Sequence, residues 1–444
     1  MASPSGYRKL LHACAAPAIA LALVGVLGAL GALGSLDRAW FDLLQRRTAV
    51  QAPVPADTAL VLIDEQALQR LGAADIGYRW PWPRRAFAGL FASLHRAGAK
   101  AVVADFNFFE SSEDPMQDYE FGAMASALTE LTLGAMPAGS DKPEQLPVIW
   151  PADFRDANAA YFARPRWGFT RSVPDADSVI RRYVAKDSLT AVAVQRNTGL
   201  PATPQLLRWR GSLAALPARG VPVLTAAPFA VDGLAVEKRA AEIASDLEPA
   251  ALLRAIEAEP APTDALTREA FAKVRGRVVF VGVNAAGTYD YVATPCGAPE
   301  PGVISHWTAY ANLSAGGFLR ETGPWASAGL LALVVGVLAW VARAGIGILR
   351  PGLVAGGGAL LALGGSAVAF LGNLWFAPML PVAGAAAGFG AVAVHSFLLE
   401  RARKREIQGW FGSYVSPAVV KQLVQNPDSL KLGGEKRELT IFFA

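Results

Sequence analysis

The sequence predicts an α/β domain with a mainly parallel sheet and flanking helices, joined to four transmembrane helices. Three observations lead there. Across residues 37–322, short apolar runs closing on acidic residues alternate with stretches of helical periodicity, the pattern of parallel strands linked by crossover helices. Of the 444 residues 53% are hydrophobic and the mean hydropathy is +0.30, too apolar for an ordinary soluble chain. That excess gathers near the start and between about 324 and 399, leaving 37–322 as a normal globular mixture long enough to bury a core.

The apolar runs come first in the chain and in the argument. Residues 1–11 carry Arg8 and Lys9 and precede the run 12–36, which can cross about 30 Å of hydrocarbon at about 1.5 Å per residue. It is long for the apolar part of a cleaved signal peptide, which favours an uncleaved anchor. Further spans are expected over 324–342, 346–371 and 374–399, with Arg343 and Arg350 in the first short loop, no charge in 371–375, and Arg401, Arg403, Lys404 and Arg405 after the last. With the N-terminus inside, every short loop then obeys the positive-inside rule, and 37–322 falls outside the membrane. Gly352, Gly356, Gly364, Gly365, Gly384 and Gly388 suit close helix packing, within one chain or between two. No acidic residue lies in these spans, which argues against a transport pathway.

Within 37–322, Ala59–Asp64 (ALVLID) reads as a buried strand and a helix follows Glu65. Trp80-Pro81-Trp82-Pro83-Arg84-Arg85 is a rigid turn opening a helix with Phe87, Leu90, Phe91 and Leu94 at helical spacing, ended by Gly98. Ala101–Asp105 (AVVAD) is the next strand and Arg277–Val283 another, followed by the turn Asn284–Gly287 and a helix over 302–314. Residues 111–147 read as a long loop with one short helix, and 228–270 as helical. Ligands of open parallel sheets bind beyond the carboxyl ends of the strands, and Asp64, Glu65, Asp105 and Asp290 all follow strand ends. Such carboxylates can hold a cation or a small polar ligand; they can equally cap helices, pair with Arg84 or Arg85, or accept from loop amides. Both readings stay open at this point.

Other chemistries find little support. The net charge of +4 and pI near 9.1 come from bases beside apolar segments, which points to a lipid bilayer and away from nucleic acid. Cys14 and Cys296 lie too far apart in the chain's organisation to form a disulfide framework, and four scattered histidines give no metal-ligand spacing. No nucleophile–base pair is legible. The stretch Gly282–Gly287 superficially resembles a phosphate cradle but lacks GxxxxGK[ST] and GxGxxG, so it is a very weak signal for one.

Together, VLIDEQAL at 61–68, WPWPRR at 80–85, LHRAGAKAVVADFNFFE at 94–110, Gly168, and Asp175–Asp177 with Arg181-Arg182 resemble the type-2 cyclase/histidine-kinase-associated sensory extracellular (CHASE) domain. VRGRVVFVGVNAAGTYDYVATP at 274–295 and EPGVISHWTAYANL at 300–313 extend the match, whereas 190–270 fits poorly and reads as an insertion or a divergent stretch. The resemblance implies an extracytoplasmic sensor domain over 37–322, followed by three spans, with a ligand it does not name.

After a charged helix at 398–411, FGSYVSPAVVKQLVQNP at 411–427 and LKLGGEKRELTIFFA at 430–444 resemble the entry into a class III adenylate/guanylate cyclase. This implies a cytoplasmic signalling helix and transducer over 400–435 and, at 436–444, the start of an α+β cyclase domain with its first strand at Thr440–Phe443. It also implies a homodimer, relay through Tyr414 and Pro417, and two divalent ions (magnesium or manganese) in the complete cyclase. The family's metal-binding Asp follows the F-A pair, here beyond Ala444, so no catalytic residue and no cofactor is assigned within this chain. Taken literally, the 444 residues describe a receptor that senses and dimerises without its own output. A histidine kinase receptor would need a phosphoacceptor on a cytoplasmic helix, and His395 falls inside the last span.

Overall fold

The computed structural model describes all residues except 1–21, 29, 109, 137–166, 244–248, 289, 316, 344–346, 413–439, 441 and 443–444. The chain forms two units: Asp37–Thr322 with Ala367–Phe376, and Met1–Leu36 with Gly323–Ser366 and Ala377–Ala444.

The first unit is a mixed α/β fold around a parallel sheet. Its strands are β1 (Thr58–Asp64), β2 (Ala101–Asn107), β3 (Leu131–Ala135), β4 (Trp167–Phe169), β8 (Val223–Thr225) and β9 (Val278–Asn284), in the order β4-β3-β2-β9-β1-β8. Between them in sequence, β5 (Ser172–Pro174), β6 (Ile180–Tyr183) and β7 (Gln205–Leu206) make a small antiparallel sheet. β1 lies in register with β9 along its whole length, Thr58 opposite Val278 and Asp64 opposite Asn284. Successive side chains of a strand point to opposite faces, and β1 divides accordingly: Val61 and Ile63 join one core with Phe87, Phe91 and Phe229, while Leu60 and Leu62 join another with Trp209, Phe280 and Trp307. Two buried faces explain why the central strands read as unbroken apolar runs.

The helices are α1 (Ala32–Thr48), α2 (Glu65–Gly72), α3 (Arg84–Arg96), α4 (Pro115–Ala127), α5 (Leu189–Ala193), α6 (Ala227–Ile243), α7 (Pro249–Ala258), α8 (Ala265–Val274) and α9 (Val303–Ser314). α3 ends on Gly98 at φ 77°, whose N–H donates to the His95 carbonyl at 2.8 Å, the left-handed stop that glycine favours. α3 and α6 cross at Gly89 and Gly233 so closely that a Cβ on Gly233 would sit 2.3 Å from the Gly89 carbonyl carbon.

Two stretches differ from the reading of the sequence. The expected loop 111–147 contains β3 after α4. The poorly matching 190–270 is part of the core: it supplies edge strand β8, paired with β1, and the stretch 228–270 expected to be helical gives helices α6 to α8. β8 has three residues and passes at once into an alanine-rich helix, so the strand period had no room to show.

The second unit holds three helices long and apolar enough to cross a membrane: α10 (Pro324–Arg343), α11 (Leu349–Leu371, whose end enters the first unit) and α12 (Met379–Gly412, with its candidate span at Met379–Ala402). Four were expected. The missing one, 12–36, is described only from residue 22, as helices Ala22–Gly28 and Ala32–Gln51 bent by 69°. The bend falls beside Gly31, which takes the left-handed φ of 72°, and α1 then runs past residue 36 through Asp37, Arg38, Asp42, Arg46 and Arg47, burying Phe41, Leu44 and Gln45 in the α/β unit. Among α10 to α12, Gly384 and Gly388 face Leu331 and Leu338, and Gly358 faces Val334, with no room for a Cβ. These small residues therefore serve packing within the chain.

Candidate functional site

At the carboxyl edge of the sheet the four expected acids part ways. Asp64 accepts from the Ala67 N–H at 2.9 Å, capping α2, and from Thr225 Oγ1 at 2.6 Å. Glu65 lies exposed in the first turn of α2. Asp105, near the end of β2, and Asp290, in the segment after β9, instead converge on Gly302. A Cβ there would meet Asp290 Oδ1 at 2.6 Å and Asp105 Oδ2 at 3.4 Å. The Gly302 N–H also donates to the Asp290 carbonyl at 2.8 Å, so glycine immediately before α9 is what lets both carboxylates approach the helix start.

α9 brings a residue to this pair that the sequence did not single out. His306, buried to 3% exposure, places Nε2 3.3 Å from Asp105 Oδ1 and shares a hydrogen bond at 2.8 Å between Nδ1 and the Tyr183 hydroxyl. Thr190 on α5 donates to the His306 carbonyl at 3.0 Å. The available signal was one histidine on a helix whose only other ionisable group is Tyr310, one turn beyond a glycine, which a packed core histidine would also give.

Burial pushes the Asp290 carboxyl up to about 7; the Asp105 charge beside it adds to this and His306 offsets part. Burial opposes charge on His306, but Tyr183 and the Asp105 carboxylate outweigh it and hold the imidazole above its usual range. The cluster can hold and share protons. No grouping of three or more metal-ligating side chains suited to an ion occurs among the described residues.

This makes stability pH-dependent. Asp290 binds its proton more tightly folded than unfolded, so its contribution is complete below the ordinary carboxylate range and is lost as pH rises through about 7. Glu237, also pushed up to about 7 by burial, and His306 act in the same sense. Asp177 is held down to about 2, by Arg181 above all, and fails only in strong acid. The melting temperature of the purified chain in detergent is expected to be several degrees higher at pH 5 than at pH 8, and Asp290→Asn should flatten the slope. A melting temperature that rises with pH over this interval would contradict the assignment.

A second constellation ties α1 to the rest of the unit. The buried Arg181 guanidinium on β6 meets both oxygens of Asp42 on α1 at 2.7 Å, Asp175 at 2.9 Å, and Asp177 at 2.8 and 2.9 Å. Arg38 of α1 lies 3.3 Å from Asp177, and Arg182 pairs with Glu321.

Nearby, the segment joining α11 to α12 is built into the same unit. Leu374 and Trp375, expected to open the last span, pair in parallel with Arg320 and Glu321. The Thr322 N–H donates to the Trp375 carbonyl at 2.9 Å and the Asn373 amide to the Phe318 carbonyl at 3.0 Å. Arg208 donates to the Phe370 carbonyl at 2.7 Å with its guanidinium 4.3 Å from that ring's centre, and Phe41 of α1 packs edge-on against Phe370 and Trp375. Tyr414 and Pro417, the expected relay residues, lie outside the described residues, as do 413–439 and two of the four residues of the expected strand Thr440–Phe443.

Compared with known proteins, residues 18–345 match the model of the CHASE2 domain. With well over half its length matched, the chain belongs to the CHASE2 domain family. Family and helices together make it a membrane protein with an extracytoplasmic type of sensor domain. No curated protein and no solved structure matches it.

Proposed function

We propose that this chain is the membrane receptor part of a class III adenylate/guanylate cyclase. The α/β unit senses a signal outside the membrane, and the helix leaving the membrane relays it to a cytoplasmic domain that converts ATP to cAMP and pyrophosphate in the complete protein. The observation that carries this reading is continuity. α12 runs unbroken from apolar Met379 into the charged stretch Glu400–Arg405, with Glu400 and Lys404 paired at 3.2 Å along its exposed face. It then leads into the FGSYVSP and GGEKRELTIFFA motifs. A stiff helix is the simplest carrier of a rotation or shift between two domains of a dimer.

The orientation proposed is a bacterial inner membrane protein, multi-pass, with 12–36 as an additional span, the α/β unit outside and the C-terminus in the cytoplasm. The short segment between α11 and α12 bonds to the α/β unit, which supports putting both on one side. Arg343 and Arg350 belong on the other, as the positive-inside rule asks. The pairing of two copies, and the two divalent ions of the complete cyclase, follow from the same reading.

A fusion of the chain to a class III catalytic domain, starting just after the F-A pair, tests it in cells without a cyclase of their own. Cyclic nucleotide should accumulate, and Arg405→Pro, which breaks the exit helix, should change output several-fold. Output unaffected by the proline, or absent when the catalytic domain alone is active, would contradict the reading.

A further inference from the structure

Beside the crossing of α3 and α6 lies a cleft of about 530 Å³, within the range of about 300–1,000 Å³ usual for small-molecule sites. Its apolar wall is Ile76 and Leu234, and its polar wall Tyr78, Arg85, Glu237 and Lys238; Asp75 completes the lining, held by Arg70 at 3.1 Å. Arg85 is the last residue of the WPWPRR motif, and the proton cluster around Asp290 has no part in this cleft.

Two polar atoms here are shielded from water yet have no hydrogen-bond partner: the donor Arg85 Nε and the acceptor Glu237 Oε2. Arg85 Nε stands 3.7 Å from the other carboxyl oxygen, Glu237 Oε1, too far for a hydrogen bond. The Tyr78 hydroxyl reaches that same oxygen only at 3.5 Å. Buried polar groups in folded proteins are nearly always satisfied, and leaving them bare costs about 1–3 kcal/mol each. This weakly met pair lies on the two facing helices of one cleft, and the rest of the two side chains, 38% exposed for Arg85 and 20% for Glu237, is open to ligand groups of opposite sign. An anion alone can meet Arg85 and Lys238 but leaves Glu237 unmet, and a cation alone leaves Arg85 unmet.

We propose that this cleft binds a small zwitterion, a free amino acid with a medium-sized apolar side chain. Its carboxylate accepts from Arg85, its ammonium donates to Glu237, and its side chain rests between Ile76 and Leu234. This gives the sensing reading above a ligand class, and it rests on that reading only for the consequence of binding, because binding is measured on the chain itself.

The probe is L-leucine, titrated calorimetrically into the full chain in detergent at pH 8, above the Glu237 value of about 7. It is compared with 4-methylpentanoate, which lacks the ammonium, and 3-methylbutylamine, which lacks the carboxylate. Leucine should bind and each analogue should bind at least tenfold more weakly, a factor equal to about 1.4 kcal/mol. Arg85→Gln and Glu237→Gln should each weaken leucine at least tenfold while circular dichroism and the unliganded melting temperature stay near those of the parent. No heat from leucine, equal affinity for either analogue, or full affinity in both folded variants would overturn the proposal. Leucine binding that leaves cyclic nucleotide output of the fusion unchanged would instead count against the relay alone.

Discussion

Arg181→Ala is expected to destabilise the α/β unit by about 3 kcal/mol or more, within the range of about 3–5 kcal/mol for breaking a buried charge network. Arg181 is 2% exposed and is the common partner of Asp42, Asp175 and Asp177. Removing it leaves three carboxylates facing one another with their shared cation gone. Arg38 and Arg182 stay within reach of Asp177 and Asp175, which places the loss near the lower end. Arg181→Lys keeps the charge but not the fork that meets both oxygens of Asp42, and should fall between. Because Asp42 belongs to α1, the substitution should also free that helix, raising hydrogen exchange over 37–48 before the sheet melts. Thermal unfolding and exchange measure both effects; a variant as stable as the parent would show that the three acids need no common cation.

Gly233→Ala should also destabilise the unit, through shape alone. The new Cβ would lie 2.3 to 2.8 Å from the carbonyl carbon, oxygen and Cα of Gly89. These are backbone atoms, so no side chain can rotate away and the two helices must separate. The separation opens a core holding Phe87, Leu90, Phe91, Phe229 and Val236. Overpacking costs about 1–3 kcal/mol, occasionally more, against about 1 kcal/mol gained by replacing glycine in a helix. With backbone meeting backbone, a net loss of about 2 kcal/mol or more is expected in urea unfolding, and Gly89→Ala should do the same. If either variant matches the parent, the close crossing is not required.

What the sequence could reveal followed from the range of each interaction. The central strands were legible because burial on both faces makes VLI-rich runs that need no partner to recognise. Asp64 followed by Glu65 signalled a strand passing into a helix, and the same pattern serves a cap and a site alike; the bond to Ala67 settles that Asp64 caps α2. His306 was illegible because its partners, Asp105 and Tyr183, stand 201 and 123 residues away in sequence (306 − 105 and 306 − 183). Glu237 lay in an alanine-rich stretch with no local feature, and it gains meaning only where α6 meets Arg85. The first apolar run ends at Leu36, where the division between the two units falls, but α1 carries its helical pattern past that point, and Phe41 and Leu44 are apolar for the α/β core.

The central claim is that the α/β unit lies outside the membrane while α12 carries its signal inward. Single cysteines on a background lacking Cys14 and Cys296 test this most directly, at exposed Leu266 of α8 and at Arg405 beyond the apolar part of α12, probed with a membrane-impermeant maleimide. The account predicts that Leu266→Cys is labelled in intact cells with the outer envelope opened, and Arg405→Cys only once the inner membrane is permeabilised. The reverse pattern, or labelling of both sites in intact cells, would contradict it.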